Sequence, residues 1–146
     1  MKPIFTIHAG EYLVASEIEK IFKNKISIWL PGKDTGIDLL LTDQSNKKTV
    51  SIQVKFSKNF NTSDVKESFR KDIRGTGWWS LDKEKIIKSI DANVDYWIFV
   101  IFSIEKKATD FIIISTIELQ KLFDNLERKN KFHCYADSTR QCNILI

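Results

Sequence analysis

The chain has 146 residues, enough to bury one core without disulfide or metal staples and too few for a second domain. Hydrophobic residues make up 42% and charged residues 29%, with ten Phe and four Trp, which excludes a disordered tail and favours one packed, soluble domain. The net charge of +4 and pI near 9.0 favour polyanionic partners by long-range attraction, although many basic domains of this size bind no nucleic acid.

No stretch approaches the ~20 apolar residues that a membrane span requires. The start MKPIFTIHAGEY lacks the basic, apolar and small-residue succession of a secretory leader, so a cytoplasmic location is expected. Between His8 and Lys23, Val14, Ala15, Ile18 and Phe22 recur at helical spacing with Glu17, Lys20 and Lys23 opposite, which predicts an amphipathic first helix. ISIWL at 26–30 reads as a short strand, PGKDTG as a turn, and 37–42 as a second strand. In VSIQVKFS, Val50, Ile52, Val54 and Phe56 alternate with Ser51, Gln53, Lys55 and Ser57, which predicts a strand with one core face and one polar face.

Residues 63–74 look helical, GTGWW at 75–79 breaks the pattern, and LDKEKIIKSI resumes as a helix. DYWIFVIFSI suits a buried central strand, with FIIIS after the turn EKKATD as its hairpin neighbour. Ser115 with Glu118 forms a capping-box signature opening the helix TIELQKLFDNL, and HCYADSTRQCNILI reads as irregular with one terminal strand. Cys134 and Cys142, with His133 nearby, match no zinc spacing and are read as reduced structural thiols. The order of elements describes an α/β sandwich: a central mixed sheet flanked by helices.

Three features carry chemistry. Asp38 emerges from a Gly-containing turn at the open end of its strand, where an aspartate is ordinarily a solvated turn residue. Gln53 and Lys55 are two apart, so both side chains point to the same side of their strand, which taken alone is the pattern of a solvent face. Together on neighbouring strands they make a different set: Asp38, the Gln53 amide oxygen and the Val54 carbonyl are hard oxygen ligands suited to Mg²⁺, and Lys55 is an adjacent cation able to orient water and offset charge in phosphodiester hydrolysis. At 100° per residue Glu11 falls within about 40° of the inward stripe, where a carboxylate needs a cation, either the same metal or Lys55. The competing reading of Glu11 is a wet carboxylate at a helix N-terminus; Glu17 lies on the opposite face.

The segments HAGEYLVASEIEK, GIDLLL and SIQVKFS, within residues 8–58, resemble the PD-(D/E)XK nuclease superfamily, which includes restriction endonucleases and archaeal-type Holliday junction resolvases. The resemblance implies a restriction endonuclease-like sandwich and a Mg²⁺-dependent DNA endonuclease, with Mn²⁺ as a substitute metal. Within it Asp38 takes the place of the motif aspartate, Gln53 and Lys55 that of the (D/E)-x-K pair, and Glu11 that of the glutamate on the first helix of resolvase-like members. Two departures stand out: Ile37 occupies the position of the name-giving proline, and Gln53 replaces an acid and removes one negative charge from the metal site.

For DNA, Lys66, Arg70 and Arg74 fall four apart on the predicted 63–74 helix and form a basic ridge joined by Lys58, unless the interleaved Asp64, Glu67 and Asp72 make this a solvated face. Trp78 and Trp79 are adjacent and so cannot share one strand face; one ring is available to stack on or wedge into DNA, to form a dimer interface, or to pack in the core. Cutting both strands calls for two active sites, so a homodimer is expected, with no organic cofactor and no membrane partner. The alternative function is a catalytically inactive domain of the same fold that binds nucleic acid or protein.

Overall fold

A computed structural model describes residues 9–32, 36–58, 73–103, 107–125 and 131–139, with the backbone alone described for Lys58 and residues 131–139. Helix α1 (Ala9–Phe22) leads into β1 (Ile26–Trp29), β2 (Leu39–Asp43) and β3 (Thr49–Lys58). Strand β4 (Ile73–Asp82) and α2 (Lys83–Asp91) follow, then the hairpin β5 (Tyr96–Ser103) and β6 (Ala108–Ser115), α3 (Thr116–Asn125) and β7 (Lys131–Thr139).

Five strands form a mixed sheet in the order β1-β2-β3-β5-β6. Every neighbouring pair is antiparallel except β3 and β5, which run parallel from Ile52↔Tyr96 to Lys58↔Phe102. A parallel pair needs a long crossover, and the chain between them contains β4 and α2. The entry to β5 is pinned to β3 by a local clamp: the Ser51 N–H and hydroxyl donate to the Asp95 carboxylate at 2.8 and 3.0 Å, and the Asp95 N–H donates to the Ser51 carbonyl at 3.0 Å.

Alternation along the strands divides the core into two layers. On one face, Leu39, Leu41, Ile52, Val54, Ile98 and Val100 pack with Val14 of α1. On the other, Trp97, Phe99 and Ile101 of β5 pack with Trp79 and Leu81 of β4, Ile86 of α2, and Leu119 and Phe123 of α3. Helices therefore cover both faces, and the fold is the expected α/β sandwich.

The predicted capping box is present. The Ser115 hydroxyl and N–H donate to the Glu118 carboxylate at 2.7 and 3.3 Å, and the Glu118 N–H returns to the hydroxyl at 3.2 Å.

The largest departure from the pattern expected of the sequence lies at 73–82. Residues 63–72 of the predicted helix lie outside the described residues, but Ile73 and Arg74 belong to a strand that runs through GTGWW to Asp82. Its partner is β7, antiparallel with Trp78↔Tyr135 and Asp82↔Lys131 and with a register shift between Ile73 and Gly75, so the one strand expected within the otherwise irregular last segment runs over Lys131–Thr139. The glycines are not breakers here. A Cβ at Gly77 would lie 2.1 Å from the Trp79 ring, so Gly77 makes room for the indole of its neighbour on the same strand face. Helix α2 starts at Lys83 because the Asp82 carboxylate caps it, accepting the Glu84 N–H at 3.0 Å.

Candidate active site

Asp38 stands one residue before β2, and its N–H donates to the Ile52 carbonyl at 2.8 Å, which extends the β2–β3 pairing by one step. Gly36, at φ +86°, turns the chain into this position, a conformation that a side chain would strain. The pairing places the Asp38 carboxylate at the middle of β3. Its Oδ2 accepts the Val54 N–H at 2.8 Å and an N–H of the Gln53 side-chain amide. Asp38 and Gln53 are each only 8% exposed, and these two donors replace the water the carboxylate loses on burial.

The orientation of Gln53 follows from this bond. A carboxylate accepts only from the nitrogen end of an amide, so Nε2 faces Asp38 and Oε1 faces the turn, where a Cβ on Gly36 would lie 3.9 Å away. The amide oxygen expected to ligate a metal is therefore not the atom that meets Asp38. In a strand the N–H and C=O of one residue project to the same side, so the Val54 carbonyl opens toward β2, on the side where its N–H meets Asp38.

Glu11 is buried, at 5% exposure, in the first turn of α1. The preceding Gly10 brings the helix onto β3: a Cβ there would sit 2.7 Å from Phe56 Cβ and 3.3 Å from Val54 Cγ1. Val54 thus borders both elements, with its side chain against α1 at Gly10 and its N–H on Asp38. Among the described residues, no group of three or more His, Cys, Asp or Glu side chains converges to hold a metal. A cation beside Asp38 would rely on one or two carboxylates and a main-chain carbonyl, hard oxygen ligands of the kind that Mg²⁺ accepts with water completing its shell, because the Gln53 amide turns its nitrogen to Asp38.

Gln53 and Lys55 share a strand side, but that side is not a solvent face. Ser51, Gln53 and Ser57 are all buried there, because the parallel neighbour β5 sets Trp97 beside Gln53 and Phe99 beside Lys55, and β4 lies across them. The Trp78 N–H donates to the Ser57 hydroxyl at 3.0 Å, fastening β4 to β3. Lys55 is half-buried, with Nζ 5.2 Å from the centroid of the Trp97 ring. Trp97 is the residue of this site that sequence reasoning passes over. It lies within an unbroken apolar run, and only the parallel register brings it beside Gln53.

The expected DNA-binding residues divide. Lys66 and Arg70 lie outside the described residues, as does the side chain of Lys58. Arg74 belongs to a strand rather than to a helical ridge, and it pairs with Asp110 of β6 at 3.3 Å. Trp79 is a core residue, 6% exposed, with its ring edge-to-face against Phe99 at 5.2 Å between centroids. Trp78 alternates to the other side of β4 and is half-buried.

No family model matches the sequence, and no curated protein matches it. Among solved structures the fold is similar to that of the bacterial homing endonuclease I-Ssp6803I, at 13% identity over 92% of this chain and 80% of that one, with a TM-score of 0.46. It is also similar to D212, a nuclease from a fusselovirus, at 12% identity over 88% of this chain and 76% of that one, with a TM-score of 0.44. No helix among the described residues is long and apolar enough to cross a membrane.

Proposed function

We propose that this chain is a divalent-metal-dependent endonuclease that hydrolyses DNA phosphodiester bonds. The observation that carries the proposal is the junction of Asp38 with Gln53 and Val54, two residues from Lys55 on the same strand. The Asp38 carboxylate, the Gln53 amide and the Val54 main chain come together on β3, with Lys55 two residues beyond Gln53, and this supports the reading.

In this reading Asp38, Glu11 and the Val54 carbonyl would hold Mg²⁺, with Mn²⁺ as a substitute, and Gln53 would join them through Oε1 only once its amide had turned from its bond to Asp38. Bound there, the metal would polarise a phosphate oxygen and acidify the attacking water. The chain's own groups do the rest. Asp38 is fixed by the Val54 N–H and so presents its carboxylate in one orientation. Lys55 supplies a positive charge for the non-bridging oxygens as charge grows in the transition state, and a donor that orients the water. Glu11 restores negative charge that Gln53 does not bring. Two copies acting as a homodimer would cut both strands.

The test is incubation of the purified protein with supercoiled plasmid, linear duplex and a synthetic four-way junction in Mg²⁺, Mn²⁺ or EDTA, beside Asp38→Asn and Lys55→Ala. Asp38→Asn is preferable to Asp38→Ala, because an alanine would strand the buried Val54 N–H and Gln53 amide at a cost of about 1–3 kcal/mol. Metal-dependent cutting that both substitutions abolish supports the proposal, and full activity in either would sink the assignment.

One observation favours a second reading, a nucleic-acid or protein-binding module without catalysis: two protein donors already satisfy Asp38 Oδ2. That reading gains if neither Mg²⁺ nor Mn²⁺ raises the melting temperature and no DNA form is cut.

A further inference from the structure

Lys55 is in register with Phe99, yet its ammonium stands over the ring of Trp97, which is in register with Gln53. The ammonium therefore sits over the β5 side of β3, above the ring one same-face step before its own cross-strand neighbour. A lysine stem has four rotatable bonds and many rotamers, so holding it in this direction requires a seat.

Trp97 has the properties of that seat. It is 2% exposed, and its ring stacks on Phe99 with a 25° interplanar angle and 6.2 Å between centroids, while Phe99 is in turn held edge-on by Trp79. The indole cannot move without disturbing the rings of Phe99 and Trp79. Among the described residues its N–H has no acceptor, so the polar handle that usually accounts for a buried tryptophan accounts for nothing here. What tryptophan offers over a phenylalanine or leucine at this position is a larger and more electron-rich face, the best side-chain surface for an ammonium.

We infer that Trp97 is a positioning residue for Lys55, fixing the place of its ammonium on the β5 side of β3, over the residue in register with Gln53. As an account of catalysis this rests on the nuclease reading; as an account of geometry it does not. Lys55 is the group that meets substrate, and Trp97 acts through it.

The experiment separates the two. Protein carrying 5-fluorotryptophan gives fluorine resonances for its tryptophans, and Trp97→Phe identifies the resonance of Trp97. Lys55→Met should move that resonance, and Lys55→Arg, which keeps a cation over the ring, should move it much less. Equal shifts in the two variants, or none in either, would overturn the inference whether or not the protein cuts DNA.

Where cutting is observed, Trp97→Leu should lower kcat by at least about tenfold, as expected when a reacting group is misplaced, with KM for DNA little changed. Trp97→Phe should fall between Trp97→Leu and wild type. Phe123→Leu, in the same core but on α3, serves as the control for lost packing. At matched loss of melting temperature, an equal fall of kcat in Phe123→Leu would reduce Trp97 to a structural residue and refute the proposal. If no form of the protein cuts, the nuclease reading fails while the resonance test still decides the place of Lys55.

Discussion

Gln53→Glu restores the acid that the resemblance leads one to expect, and the structure gives it opposite effects with and without metal. In the wild-type protein the Gln53 amide donates to a buried Asp38 carboxylate, a bond to a charged acceptor of the kind that contributes about 1.5–3 kcal/mol. A glutamate there removes the donor and sets two carboxylates within contact. At about 4 Å and an effective dielectric near 20 their repulsion is of order 4 kcal/mol, and uptake of one proton by the pair caps the loss below the sum of both effects.

A net loss of about 3 kcal/mol in EDTA at slightly alkaline pH corresponds to a fall in Tm of roughly 6–12 °C for a chain of this size. Millimolar Mg²⁺ should reverse the order of effects, because a divalent cation between two carboxylates replaces the lost donor. The metal-induced rise in Tm should be larger in Gln53→Glu than in wild type, following RT ln(1 + [L]/Kd). Differential scanning calorimetry with EDTA and with a Mg²⁺ series reads both quantities without any need for cleavage. A variant as stable as wild type in EDTA would show that the amide does not hold Asp38, and a metal response no larger than wild type would show that positions 38 and 53 do not share a cation.

Gly10→Ala should lower Tm by roughly 2–12 °C, because the added methyl meets the Cβ of Phe56 and overpacking of this kind costs about 1–3 kcal/mol; Gly32→Ala, where nothing lies within 4 Å, is the control. An unchanged Tm for Gly10→Ala would mean that α1 does not seat closely on β3. The Glu118 carboxyl is held below its ordinary value of 4.5 first by the Ser115 hydroxyl, then by the Ser115 N–H, against an opposing desolvation, with the Lys121 charge adding least. Because the folded protein depresses this value, the stabilising contribution of the cap is fully present above 4.5 and is lost as pH falls through the lower folded value. The difference in Tm between wild type and Glu118→Gln should be constant near neutrality and shrink in acid; a difference that grows on acidification would refute the assignment.

Much of this fold is local and is therefore legible in the amino-acid sequence alone. The alternation in VSIQVKFS sets Ile52 and Val54 on one side of a strand and Gln53 and Lys55 on the other, and the folded chain keeps that division. Helix α1, the β5–β6 hairpin and the Ser115–Glu118 cap likewise depend on contacts between residues a few positions apart. The proximity of Asp38 to Gln53 is legible for a related reason: they lie on adjoining strands joined by a short hairpin.

What only tertiary structure decides is non-local. The polar side of β3 is buried because β5, far along the chain, joins it in parallel and brings Trp97 and Phe99 alongside, an arrangement that alternation cannot distinguish from a wet face. GTGWW reads as a break by its composition and is a strand because β7 supplies the hydrogen bonds and Phe99 receives the ring of Trp79. Local propensity there opposes the outcome, and burial against distant residues overrides it. The direction of the Gln53 amide and the place of the Lys55 ammonium belong to the same class: strand periodicity states which side each leaves, and non-local neighbours, Asp38 for the amide and the Trp97 ring beside the ammonium, show where each ends.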